Sequence, residues 1–415
     1  MRRLIISIII LPLYVLSQDN SQNAQLYLEN YIDITSNSLN YDFANKILFQ
    51  GKILDEDKNI WIDLLKEKNV INAELNTKLD FQIFNNKNTF LFSVSDHNML
   101  NSSFSDDLFK LIFKGNYDFQ GDTLNFNQSS FIAKRYQKIQ IGYKRDFKFI
   151  KLTGALAFLN GNHYYSLLSE QGNLYTEITG LNIFLEYDLD GFATSRDNLS
   201  LLANNGHGIS GNLEFNYYKD DIQINWYLNN LGFIKWNENS LIYDIDSSFL
   251  FSGIQIDNFI NFHDSLLEEE INNLENHISS GDRKSFKSYT TANFGFNAQK
   301  DIEGSLFEKV ILGVNLKWRP NIDNLPIGWK KIKQGINESN YSPLYYISAT
   351  YNYKYLYLAP EISLGGYTES YNLNLMIGLK IHSIFTRLKI NNINELIQGN
   401  SMNSLNMYFQ IGKNF

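Results

Sequence analysis

The chain has 415 residues, 44 acidic against 36 basic side chains for a formal net charge of −8, and no cysteine. The missing thiols exclude disulfides, thiolate metal sites and cysteine nucleophiles, and the acidic balance argues against nucleic acid as a partner. A mean hydropathy of −0.28 would suit a soluble protein. It is also what a transmembrane barrel shows, because only alternate residues of each strand face lipid.

Met1-Arg2-Arg3 followed by the apolar run Leu4 to Leu16 and the polar Ser17-Gln18-Asp19 reads as a secretory signal peptide over 1–17. An apolar run of about 13 residues falls short of the roughly 20 that a membrane-crossing helix needs, so a retained anchor is the weaker reading. Residues 18–415 are then the body of the protein. Near 57–68, Ile60, Trp61, Leu64 and Leu65 have helical spacing, and near 105–113 Ser105-Asp106-Asp107 opens a second helix ahead of Leu108, Leu111 and Ile112. A third helix is expected over 264–278, where Ser265 and Glu268 form a capping box and Glu269, Glu270 and Glu275 make an acidic face. These helices are expected in loops or inside the barrel.

Between and after them the apolar period is two. Leu75 to Ile83, Ile139 to Tyr143 and Leu181 to Tyr187 are candidate strands. Leu213, Phe215 and Tyr217 pass into Ile222, Ile224, Trp226 and Leu228 across Lys219-Asp220-Asp221, a hairpin signal. Val310 to Trp318, Ile347 to Tyr357 and Tyr371 to Leu379 alternate in the same way. From Leu405 to Phe415 the odd positions are apolar except for Lys413, and Phe409, Ile411, Gly412 and Phe415 have the pattern of the terminal signal by which barrel-assembly machinery recognises its clients. No proline falls between Pro12 and Pro320, as long hydrogen-bonded strands require. Strands of 9 to 11 residues would number roughly 12 to 16 in this length, and about 14 is the favoured count. The expected fold is therefore all-β, a transmembrane antiparallel barrel with short helical insertions and both termini on the periplasmic side, in a bacterial outer membrane.

Chemistry-bearing motifs are weak. Gly206-His207-Gly208-Ile209-Ser210-Gly211 has the spacing of a dinucleotide-binding loop, but an alternating strand follows where that loop needs a helix, so the glycines read as a bend or a close approach. His97, His163, His207, His263, His277 and His382 show no metal-ligand spacing, and Asp244 with Asp246 reads as a wet strand face. Tyr345, Tyr346, Tyr351, Tyr353, Tyr355 and Tyr357 suit interfacial aromatic girdles better than a sugar platform. No catalytic, cofactor-binding or metal residue is assigned, and an enzyme is the least supported class.

Asn37-Ser38, Ser105-Asp106-Asp107-Leu108 leading into Lys114-Gly115-Asn116, Gly142-Tyr143, Gly208-Ile209-Ser210-Gly211, and above all Leu231-Gly232-Phe233-Ile234-Lys235-Trp236-Asn237 resemble an uncharacterised Bacteroidetes outer-membrane barrel family over nearly the whole mature chain. That family is similar to the long-chain fatty acid transporter barrels. The resemblance implies fourteen strands, an N-terminal hatch, and passive transport of a small hydrophobic molecule; it supplies no binding residues. The Asn-Pro-Ala segment that many relatives show near the mature start is missing, which puts the hatch in question. The alternative function is a non-transporting scaffold or accessory for secretion or surface assembly, with the acidic helix at 264–278 as its docking face.

Overall fold

In the computed structural model, the described residues are 23–48, 51–195, 200, 202–251, 281–302, 307–319, 339–394 and 403–415. The expected signal peptide at 1–17 and the acidic helix at 264–278 lie outside them. Alternating side chains favour extended backbone, and in a lipid environment every backbone N–H and C=O must find a partner within the sheet. The chain meets that demand by closing on itself.

Fourteen antiparallel strands form the ring: β1 (Ala24–Ser36), β2 (Lys68–Asn85), β3 (Asn88–Ser105), β4 (Ser129–Asp146), β5 (Ile150–Thr176), β6 (Gly206–Lys219), β7 (Ile222–Trp236), β8 (Ala292–Asp301), β9 (Lys309–Trp318), β10 (Ser342–Tyr353), β11 (Leu356–Gly366), β12 (Ser370–Ile381), β13 (Ile384–Asn391) and β14 (Ser404–Asn414). Each pairs with the next, and β1 pairs with β14 from Gln25↔Asn414 to Thr35↔Ser404, which removes the last free edge. Odd residues of β1 and even residues of β2 face inward; their neighbours Ile32, Leu75 and Leu79 face out and are exposed.

The two ends of the barrel differ. One carries both termini and short connections such as Asn86-Lys87, Asp220-Asp221, Lys354-Tyr355 and His382-Ser383. Asn86, Asp220, Lys354 and His382 take left-handed φ of 52 to 54° in these turns, a conformation that is cheapest for Asn and Asp. The other end carries the long connections. β2, β3 and β4 have 18 residues each and β5 has 27, so on this flank 18 tilted residues rise about 45 Å, more than the hydrocarbon layer of about 30 Å.

Above the ring this flank continues as a side sheet. The far half of β5 pairs with strand Ile183–Ala193, which pairs in turn with Leu241–Phe251. The expected strand over Leu181 to Tyr187 is therefore real but lies outside the ring, because alternation reports one wet and one greasy face and not which sheet a strand joins. The run Ile347 to Tyr357 likewise divides, β10 turning into β11 at Lys354-Tyr355. Asn162 is an extra residue in β5 opposite Arg135 and Tyr136, a bulge at which the strand leaves the cylinder. Trp236, Ile234 and Leu159 are fully buried with Tyr136, Tyr164 and Phe286, an apolar core on the inward face of this flank near the long-loop end.

Of the helices expected, those near 57–68 and 105–113 form with shifted ends, and one was not anticipated: α1 (Tyr41–Leu48), α2 (Asp55–Asp63) and α3 (Asp106–Lys114). Ser105 caps α3 by accepting from the Leu108 N–H at 3.1 Å. The three pack around buried Trp61, Phe109 and Leu39, together with Ile71 of β2 and Phe104 of β3. Ile71 and Phe104 have the outward parity, opposite to the lumen-facing Asn72 and Asn101. The helices thus stand against the outside of the long-loop rim and do not fill the barrel.

Candidate functional site

The inward residues of the strands build a lumen rich in Asn, Ser, Thr, Tyr and paired charges, and its cross-section is set by one contact. Lys317 of β9 donates to Glu74 Oε1 of β2 at 2.5 Å and to the Tyr367 hydroxyl at 3.2 Å, with the Tyr367 and Tyr341 rings 4.6 and 5.2 Å from its ammonium. β2 and β9 are seven strands apart in either direction around the ring of fourteen, hence diametrically opposed. Fourteen strands at about 4.8 Å spacing and a tilt of about 40° would close into a circle roughly 28 Å across. A Glu–Lys pair in contact reaches at most about 14 Å between backbones, so the barrel is pinched to about half its circular width.

Further contacts hold the pinch. Asn340, just before β10, donates to Asn101 of β3 at 2.9 Å, again across seven strands. Val70 of β2 is buried against Tyr341 and Tyr367. At the rim Asn37 donates to Glu369 at 3.2 Å, and Lys66 approaches the same carboxylate at 3.5 Å.

On the β10–β14 side of the pinch lies a cavity of about 650 Å³. Its lysines and carboxylates are satisfied: Lys389 pairs with Glu361 at 2.9 Å, Asn374 donates to the same carboxylate at 2.8 Å, and Asp33 accepts from Tyr31, Thr35 and Asn72. A second cavity, of about 480 Å³, opens toward the short-turn end, and Arg387 of β13 lines both. A third, of about 560 Å³, shares Asn352 and Tyr357 with the second and is lined by Asp301, Glu308 and Lys309. On the neighbouring wall Tyr227 and Tyr346 lie against Gly295 and Gly313, where any side chain would run into the ring, so both phenols rest along the sheet.

The residues singled out from the sequence are dispersed. Phe409 and Ile411 face outward on β14; Gly412 faces the Phe385 ring and Tyr27; the Phe415 N–H donates to the Ala24 carbonyl at 2.8 Å, so all four mark the β1–β14 seam. Gly206 to Gly211 lie in β6, paired on both sides. His97 stacks on Tyr136 in the lumen at 4.8 Å, and among the described residues no group of three or more His, Asp or Glu could hold a metal. Asp244 and Asp246 face Asp190 and Asp188 on the side sheet, away from the lumen. Tyr345 and Tyr353 are exposed near opposite ends of β10, as two girdles require, while Tyr346 turns inward. The cross-lumen pair escaped sequence reading because 243 residues separate its members.

The sequence pattern of a family of unknown function, DUF5723, matches residues 18–381. The chain belongs to that family. Among curated proteins no sequence matches. Of solved structures, a deletion mutant of the TodX monoaromatic hydrocarbon channel is similar at 8 % identity and a TM-score of 0.46, over 95 % of this chain and 90 % of that one. The Ralstonia pickettii toluene transporter TbuX is similar at 8 % identity and 0.44, over 95 % and 90 %, and a Pseudomonas aeruginosa FadL homologue at 10 % and 0.42, over 94 % and 89 %. At TM-scores below 0.5 these likenesses say nothing about what this DUF5723 barrel carries.

Proposed function

We propose that the protein is a passive passage for a small solute across a bacterial outer membrane, closed in this conformation by the pinch between β2 and β9. The observation that carries the reading is the Glu74–Lys317 contact beside a stacked pair of cavities that lead toward the short-turn mouth. Short turns and both termini at one end give that end to the periplasm. Charged and amide side chains line the two cavities, so a polar solute suits them. Planar-bilayer conductance tests the reading: the wild type is expected to conduct little, and Glu74→Gln with Lys317→Met to raise conductance several-fold. An opened variant as silent as the wild type would defeat it.

A hydrophobic cargo, implied by the family resemblance, is kept as a second reading on one observation. An apolar hollow of about 800 Å³ on the lipid-facing wall is lined by Phe90, Ile141, Leu156, Leu213 and Leu231 around Gly142, Gly154 and Gly211. An uptake panel in which an apolar aromatic outruns a sugar of equal size would favour it. The scaffold alternative rested on the helix at 264–278, and no described residue adds to it. We also read the β14 seam as the assembly signal. Removing Phe415 is expected to lower the amount of folded barrel in the outer-membrane fraction; an unchanged amount would refute this.

A further inference from the structure

The charged groups of the two stacked cavities are treated differently. In the upper one Lys317 and Lys389 each close an ion pair, with Glu74 and Glu361. The lower, of about 480 Å³, is lined by Lys354, Lys380 and Arg387 and by no acid. Among the described residues none of these three has an ion-pair partner, in a chain whose acids outnumber its bases by 44 to 36. Register brings them together on three neighbouring strands: Arg387 of β13 pairs with Gly378 of β12, Lys380 stands two residues along the same face, and Lys354 sits in the adjoining β10–β11 turn, whose Tyr355 carbonyl accepts from the Lys380 N–H at 2.9 Å. A Cβ at position 378 would lie 3.3 Å from Tyr357 Cβ and 3.4 Å from the Arg387 stem, so the glycine sits at the floor of this cluster. Arg387 donates to Gln410 at 3.4 Å and lies 5.8 Å from the centre of the Phe385 ring, neither of which neutralises its charge. The nearby Glu29 is already engaged by Tyr408 at 2.7 Å, by Gln410 at 3.0 Å and by Lys78 at 3.7 Å.

Three like charges around one cavity repel each other, and low-dielectric walls focus their field on what enters. A guanidinium offers the fork that carboxylate and phosphate oxygens fit, and ammonium groups add strong point-charge donors. We propose that the short-turn mouth is an anion site: the lower cavity takes a small carboxylate- or phosphate-bearing solute on Lys354, Lys380 and Arg387, and Arg387, common to both cavities, selects what passes between them. Binding does not depend on the barrel being a passage; only the onward step rests on that reading.

Isothermal titration of the purified full chain in detergent at low ionic strength, with succinate, inorganic phosphate, maltose and putrescine as probes, tests the site. Succinate, phosphate or both are expected to bind, maltose and putrescine not, and salt to weaken the binding. The triple variant Lys354→Gln, Lys380→Gln, Arg387→Gln should weaken it about tenfold or more. Lys148→Gln, which removes a base from another turn of the same rim, should not. Heat-modifiable gel migration checks that each variant is folded. Which anion binds identifies the source chemistry. Anions that bind no better than maltose, or that bind the triple variant as well as the wild type, overturn the proposal. In bilayers the Glu74→Gln, Lys317→Met barrel should prefer anions, and adding Arg387→Gln should reduce the preference. Anion binding without conductance in that opened barrel would sink the passage and leave the site standing; conductance with no charge preference and no anion binding would do the reverse.

Discussion

Lys317 shows how one side chain sets the shape of a lumen. Its ammonium and the Glu74 carboxylate are each 13 % exposed, and the aromatic faces of Tyr341 and Tyr367 replace the water that the cation gives up. Removing one member of such a pair leaves the other charge buried and unmatched. Lys317→Met alone is therefore expected to cost about 3 kcal/mol of stability, and adding Glu74→Gln to recover most of it. Urea unfolding of the two variants in detergent reads the difference; equal losses would show that the pair is not coupled. The asparagines behave otherwise. Asn72, Asn101 and Asn340 form a hydrogen-bonded chain across the lumen that carries no net charge, so replacing one leaves an unpaired amide and not an unpaired ion, and matters less than replacing Lys317.

At the scale of elements, β2, β12 and β14 were legible because lipid on one side and water on the other impose a period of two. The same period was present in Ile183–Ala193, which belongs to the side sheet, since a wet and a greasy face arise there too. α1 was missed: Tyr41, Ala44 and Leu48 fall at helical spacing, as do Phe43 and Ile47, but eight residues make barely two turns, too short a window to establish the period. The helices pack as a unit on Trp61, and Lys46 of α1 ties α2 through Asp57 at 2.5 Å. That hydrogen bond holds the Asp57 carboxyl below the usual carboxylate range. A depressed carboxyl adds stability that is present above its unfolded pKa and is lost as pH falls through the folded one. The α1–α2 link is thus expected to loosen below about pH 4, with faster proteolysis at 37–67, and Asp57→Asn to show that faster rate already at neutral pH and little change on acidification. An acid response unchanged in Asp57→Asn would assign it elsewhere. Trp61→Ala should free all three helices at any pH, at a local cost of about 3 kcal/mol or more, while the ring of strands stays heat-modifiable.

For the whole molecule, a strand count fixes the perimeter of a barrel and leaves its cross-section open, and this is why fourteen strands were foreseeable while the closed lumen was not. Perimeter follows from hydrogen-bond spacing, which each strand carries in its own pattern. Flattening depends on pairs such as Asn101 with Asn340 and Glu74 with Lys317, which meet only after closure. The cysteine-free chain offers a direct measure of that shape. Cysteines placed as Asn76→Cys and Asn315→Cys, two residues along the lumen faces of β2 and β9 from the intact Glu74–Lys317 pair, would face each other within reach of a bis-maleimide spanning about 10 Å, whereas a circular barrel would hold them more than about 20 Å apart. Rapid intramolecular cross-linking is expected, giving a barrel that resists thermal unfolding and stays at low conductance even when Glu74→Gln and Lys317→Met are added, whereas that four-fold variant left unlinked conducts like the opened barrel. A pair that links only with a reagent long enough to span the full circle would show that the resting lumen is round, and the closure assigned to β2 and β9 would fall with it.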